Sequence, residues 1–141
     1  MSVANAAAVD TALVAVLASD AALMALLPDG VYMNVGPPDR TRFVEVQLQT
    51  HEDVEAFRAP LYEVFRYMVK AVVLDTATIT SDAAAYRIHE LLQDAPLVID
   101  GYTHMSTLRV ERVRYPDPDA VDSDLRWQHA GGDYEIHVSP N

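Results

Sequence analysis

The chain contains no cysteine and a single lysine, Lys70. The first absence removes disulfides, thiolate zinc sites and cysteine nucleophiles from consideration, and it says little about compartment. The second leaves arginine as the default cation for meeting a carboxylate, a role its planar fork suits. Cations of any kind are scarce, since 10 basic residues face 21 acidic ones and the net charge is -11. Nucleic-acid binders present clustered Lys and Arg, so this balance argues against a surface that grips phosphate. An acidic surface instead suits solubility, contact with basic partners, or passage of nucleic acid without adhesion.

Long apolar runs are missing too. The opening "MSVANAAAVDTALVAVLASD" has no basic n-region and is interrupted by Asp10 and Asp20. A membrane span needs about 20 consecutive apolar residues. The stretch predicts a helix of a soluble domain. The 141 residues, half of them hydrophobic, amount to one domain, 1–141, with an ordinary core. A domain near this size buries roughly two thirds of its unfolded surface.

Periodicity places the elements. Val9, Leu13, Val16 and Leu17 recur at helical spacing and predict a helix over 3–19. Asp20 is placed to cap a further turn or two, "AALMALL", which "PDG" at 28–30 ends. "VYMNV" is a short extended piece, and "GPPD" at 36–39 forbids regular structure. "FVEVQLQT", 43–50, alternates Val44, Val46 and Leu48 against Glu45, Gln47 and Gln49, as a half-buried strand does. "HEDVEAFRAP", 51–60, has no strong period and is expected to be a polar connection. The segment 61–74 reads as a strand with two largely apolar faces, Leu61, Phe65, Tyr67, Val69, Val73 and Tyr62, Val64, Met68, Val72. A second helix follows, capped at Ser81 or Asp82, with Ala84, Ile88, Leu91 and Leu92 as its stripe. "LVIDG" and "HMSTLRVERVRY" are expected strands, and "PDPDAVDSD", 116–124, an acidic solvated loop. The order helix, two strands, helix, then three or four strands predicts an α+β fold. Its antiparallel-rich twisted sheet carries the two main helices on one face.

Chemical motifs are as informative by their absence. His89 and Glu90 lack the second histidine of H-E-x-x-H, because position 93 is Gln. Asp117, Asp119, Asp122 and Asp124 lack the central glycine and closing glutamate of a calcium loop. No nucleophile elbow and no paired-carboxylate motif stand out, so no catalytic residue, cofactor site or metal site is expected. "RWQHAGGDYEIHV", 126–138, looks most like a site. Gly131–Gly132 is a two-residue hairpin signal. Taken as a turn, it puts Trp127, His129, Tyr134 and Ile136 on one face and Arg126 and His137 on the other. The two histidines then cannot share a metal. No helix follows the glycines to cradle phosphate. The stretch is expected to be a closing hairpin built on Trp127, His129, Gly131, Gly132 and Tyr134. The second apolar face of strand 61–74 would be left to a partner, most cheaply another copy of the chain.

Several stretches, in order and nearly end to end, carry a resemblance. They are "AALMALLPDGVY", "FVEVQLQTHEDVEAF", "LYEVFRYMVKAV", "AAAYRIHELL" and "VRYPDPD…LRWQHAGGDYEIHV". Together they resemble the tail-completion or tail-terminator proteins of long-tailed phages and phage-like particles such as gene transfer agents. The strand 61–70 is more aromatic than that family's pattern. The resemblance implies a small non-enzymatic α+β subunit of the virion's tail or neck, assembled in the bacterial host's cytoplasm. Six copies would form a ring that stops polymerisation of the tail tube protein, offers a docking surface to the head–tail connector and lets DNA pass through its lumen. On that reading loop 51–59 (His51, Glu52, Asp53, Glu55, Phe57, Arg58) and loop 115–124 (Asp117, Asp119, Asp122, Asp124) make inter-subunit or inter-ring contacts. Arg58, Arg66 and Arg114 would meet carboxylates of neighbours. A neck adaptor or tail-tube-like ring component is the alternative within the structural class. A small ligand-binding α+β domain is the alternative outside it.

Overall fold

The computed structural model describes residues 4–57, 59–93, 95–122 and 124–141, with the side chains of Ala59 and Pro60 left aside. Its elements are α1 (Ala7–Ala18), α2 (Ala21–Leu26), β1 (Val31–Met33), β2 (Arg42–Ala56), β3 (Ala59–Asp75), α3 (Ile79–Leu92), β4 (Tyr102–Pro118) and β5 (Arg126–Pro140). The five strands form one sheet in the order β1-β2-β3-β5-β4. β1 runs parallel to β2, and every other neighbouring pair is antiparallel. The fold is therefore α+β, as the periodicity predicts.

Alanine-rich α1 is a strong helix former, and Asn5 Oδ1 accepts from the Ala7 N–H at 3.0 Å to start it. Its stripe Val9, Leu13, Leu17 at i, i+4, i+8 is completely buried. Asp20 caps α2 as expected, accepting from the Leu23 N–H at 2.9 Å. The helices cover one face of the sheet, where Phe65, Tyr67, Val69, Ala71 and Val73 of β3 meet Tyr134, Ile136 and Val138 of β5. The Tyr67 hydroxyl is satisfied there by the Asp10 carboxylate of α1.

The other face of β3 is mixed: Tyr62, Val64 and Met68 stay half-buried there, interrupted by Arg66 and Lys70. Phe65 and Tyr67 lie on the helix side. On the outer side Lys70 and Val72 are buried by their own neighbours. The Lys70 ammonium donates to the Tyr115 hydroxyl at 2.7 Å and stands 3.7 Å from Glu45. Arg66 spans Asp133 at 3.0 Å and Glu111 at 3.5 Å.

Several boundaries also differ. α3 begins after Thr78, two to three residues before the expected caps; Ser81 Oγ donates to the Thr78 carbonyl instead. "LVIDG" forms only a bridge, Ile99 to Tyr102, around Gly101 in the left-handed region. Two long strands follow α3 in place of three or four. Residues 51–56 continue β2 instead of forming a loop. The pairing runs to Glu55–Pro60 and Ala56–Ala59. Polar residues on an exposed outer strand remove the alternation that would have announced it. Deleting 51–59 would consequently strip the start of β3 of its mate, not trim a loop.

The closing hairpin is the largest correction. β5 runs straight through Gly131 and Gly132, pairing with β3 on one side and β4 on the other. A Cβ on Gly131 would lie 2.1 Å from the Val69 carbonyl oxygen and 2.5 Å from Lys70 Cα. One on Gly132 would lie 2.8 Å from the Glu111 carbonyl oxygen. The glycines admit close strands; they do not turn the chain. With no turn, His129 and His137 fall on the same face, yet eight residues apart, about 27 Å along a strand. They still cannot share a metal.

Candidate functional site

β2 and β3 together form a long arm. β3 is joined by β5 only from Glu63 onward, so Ala59–Tyr62 have β2 as their single neighbour. At the tip Phe57 stands fully exposed with φ of 40°; Arg58 lies outside the described residues. Charge accumulates along the arm. Residues 51–63 carry Glu52, Asp53, Glu55 and Glu63 against Arg58 as their one arginine.

On its helix-side face, His51 stacks on Phe65 with centroids 3.9 Å apart. Its Nε2 lies 2.6 Å from Glu63 Oε1, which also accepts from the buried Tyr102 hydroxyl at 3.2 Å. Burial, then the Glu63 charge, pushes the Tyr102 hydroxyl up to about 12. His51, Asp53 and Glu63 offer ligand atoms within 4.8 Å of one another, and are the one such set among the described residues. Three oxygen and nitrogen donors at that separation could hold a divalent ion. Sequence spacing hides the set, because Glu63 lies across the hairpin from His51 and Asp53.

A second feature lies between α3 and β4. Arg109, Arg112 and Arg114 line a cleft of about 340 Å³ with Tyr86 and Ala85 of α3, and Ala130 and Gly131 of β5 form part of its lining. Arg114 grips Asp82 with two 3.0 Å hydrogen bonds, which holds the Asp82 carboxyl below the usual carboxylate range. The buried Tyr134 hydroxyl lies 3.1 Å from His89 Nδ1, and burial raises its pKa while the Arg109 charge opposes the rise. Among the described residues, neither Arg109 nor Arg112 has a carboxylate partner.

The remaining expected contact residues have positions within the subunit. Arg66 is held by Asp133 and Glu111, and Arg114 by Asp82, within the subunit. Asp117 belongs to β4 and lies 3.2 Å from His129 Nε2. Burial, then Lys70, lowers the His129 pKa while Asp117 opposes them; the ring stacks on Tyr115 at 4.4 Å. Asp119 organises its turn by accepting from the N–H groups of Asp122 and Val121 and from Trp127 Nε1. Asp122 accepts from the Asp124 N–H. The acidic loop is thus shorter than expected, since β4 runs to Pro118. Burial lowers the His104 pKa; its Nδ1 accepts from the Leu97 N–H at 3.2 Å and its Nε2 lies 2.8 Å from the Thr107 hydroxyl.

Comparison with solved structures places this architecture. One chain from the virion of a native gene transfer agent particle superposes with a TM-score of 0.72 at 21% identity, covering 94% of this chain and 96% of its own. The fold is shared with a virion component. A second solved chain, 12% identical, matches with a TM-score of 0.58 over 97% of this chain and 99% of its own. At these identities the likeness is one of fold. No protein-family profile and no curated protein matches the chain.

Proposed function

We propose that the chain is a structural subunit of a phage-like virion, and within it the tail terminator. The observation that carries the coarser reading is the end-to-end match to a gene transfer agent virion chain, with neither chain left with an unmatched domain. The finer reading takes support from the ordered motifs that resemble tail-completion proteins and from the acidic balance of the chain. A ring around a DNA conduit benefits from repelling phosphates. In this reading six copies close a ring on the last layer of the tail tube, halt its growth and present a surface to the head–tail connector. The subunit carries out no chemistry. DNA crosses the lumen unbound, and the copies meet through unlike surfaces, as ring closure requires.

Negative-stain imaging of the purified chain, alone and mixed with the tail tube protein of its particle, tests this reading. Rings seated at one end of shortened tubes are the expected outcome. Tubes of unchanged length whose ends carry no added density would overturn the terminator role.

A further inference from the structure

We propose that the tip of the β2–β3 arm of one copy docks into the cleft between α3 and β4 of the next copy. This deepens the self-assembly reading above and rests on it.

Charge is the first argument. The arm is acidic, with Glu52, Asp53 and Glu55 on β2 close to its tip. The cleft displays three arginines from one six-residue stretch of β4, in a chain with only ten cations. Two of the three are not neutralised by a carboxylate of their own subunit among the described residues. In a protein with twice as many acids as bases, cations without such partners mark a place where carboxylates arrive from outside.

Shape is the second. Phe57 projects fully into solvent at the tip, in a backbone conformation that bulky residues seldom adopt. The cleft lining includes the aromatic Tyr86, itself 62% exposed, and the small residues Ala85, Ala130 and Gly131. Interface hot spots are enriched in aromatic and arginine side chains seated in desolvated pockets, and Tyr86 with the cleft arginines supplies both. The protruding end of the arm is a bare two-stranded ribbon, a form that is at best marginally stable until something packs on it.

Reach is the third, and it decides which copy is involved. The cleft lies level with Val69 on β3, since Val69 pairs with Gly132 and Gly132 with Arg112. Ten residues of strand separate that level from Ala59, about 33 Å. An arm cannot enter its own cleft. The two surfaces are also unlike each other, so the contact is head-to-tail. Such a contact generates a closed ring when its rotation permits and an open filament when it does not.

The cysteine-free sequence makes the test direct. The double variant Phe57→Cys/Ala85→Cys, oxidised after assembly, should give a ladder of covalent multimers. An equimolar mixture of the two single variants should give covalent dimers and no ladder. In parallel, Arg109→Glu/Arg112→Glu should weaken assembly at least ten-fold by sedimentation without lowering Tm, and adding Glu52→Arg/Glu55→Arg should restore it. Assembly without a ladder, or assembly unaffected by the arginine reversals, overturns this contact and leaves the self-assembly reading standing. A wild-type chain that stays monomeric at its highest soluble concentration, alone and on tube ends, overturns both.

Discussion

At the scale of single residues, Gly131 shows how a correct reading of composition can rest on the wrong geometry. The pair Gly131–Gly132 was legible as a special backbone position, and it is one. The demand, however, comes from neighbouring strands that no local pattern reveals. Gly131 φ does not lie in the left-handed region, so what a side chain lacks there is space, not an allowed torsion. Gly131→Val is therefore expected to destabilise the fold by about 3 kcal/mol or more, because the obstruction is the β3 backbone. Gly132→Ala should be milder, since part of what it meets is the flexible Arg109 side chain. Chemical denaturation of both variants checks the ranking, and equal losses would contradict it. The same limit explains the missed cluster of His51, Asp53 and Glu63. Its members are distant in sequence and are joined only by the hairpin register, which depends on knowing that 51–56 is strand.

Elements were legible wherever one face is wet and the other dry. α1, α2, the first half of β2, β3 and α3 announce themselves through spacing, and Asp20 through its capping position. The second half of β2 is largely exposed, and the C-terminal end of β4 is exposed on both faces, and there alternation carries no signal. The junction of α2 and α3 illustrates what an element-level contact contributes. Asp20 caps α2 and also receives Arg87 of α3 through two hydrogen bonds, at 2.6 and 2.8 Å. Arg87, then the Leu23 N–H, holds the Asp20 carboxyl at about 2. A depressed carboxyl stabilises the fold above its unfolded value, near 3.8, and that contribution disappears as pH falls through about 2. Asp20→Ala loses both cap and pair. A loss of about 1–2 kcal/mol at pH 7 is expected, after allowance for the partial exposure of Arg87. It should appear as a fall of several degrees in Tm that narrows as both proteins are acidified toward pH 2. A gap that stayed constant with pH would show that the charge is not involved.

For the whole molecule, fold class was legible because alternating and helical segments sum to an α+β sheet whatever their exact ends. Strand order was not, since nothing local says that β5 lies between β3 and β4. The distribution of charge is also a property of this scale. The acidic total hides a basic strip on β4 and concentrates carboxylates on the arm, so the proposed arm–cleft contact would join opposite charges despite a net charge of -11 on each copy. Two opposed effects of salt follow. Screening relieves repulsion between the bodies and weakens the arm–cleft attraction, with a Debye length of about 10 Å at 0.1 M. Assembly is expected to fall steadily as salt rises if the local contact dominates, as measured by sedimentation across a salt series. A steady rise would show that the bodies' repulsion governs instead.

The position of β5 in the sheet has a consequence for how the protein is made. β4 touches the remainder of the sheet only through β5, and β5 follows both β3 and β4 in the chain. During synthesis, β1, β2 and β3 can pair as they emerge, whereas β4 leaves the ribosome as a strand without a mate. It must wait for residues 126–140 and then join by contacts distant in sequence, the slow kind. Until β5 arrives, both the β3 edge and β4 are open to pairing with other chains. The sheet is thus completed by insertion of the last strand into a gap between two others, and the glycines at 131 and 132 let that strand fit.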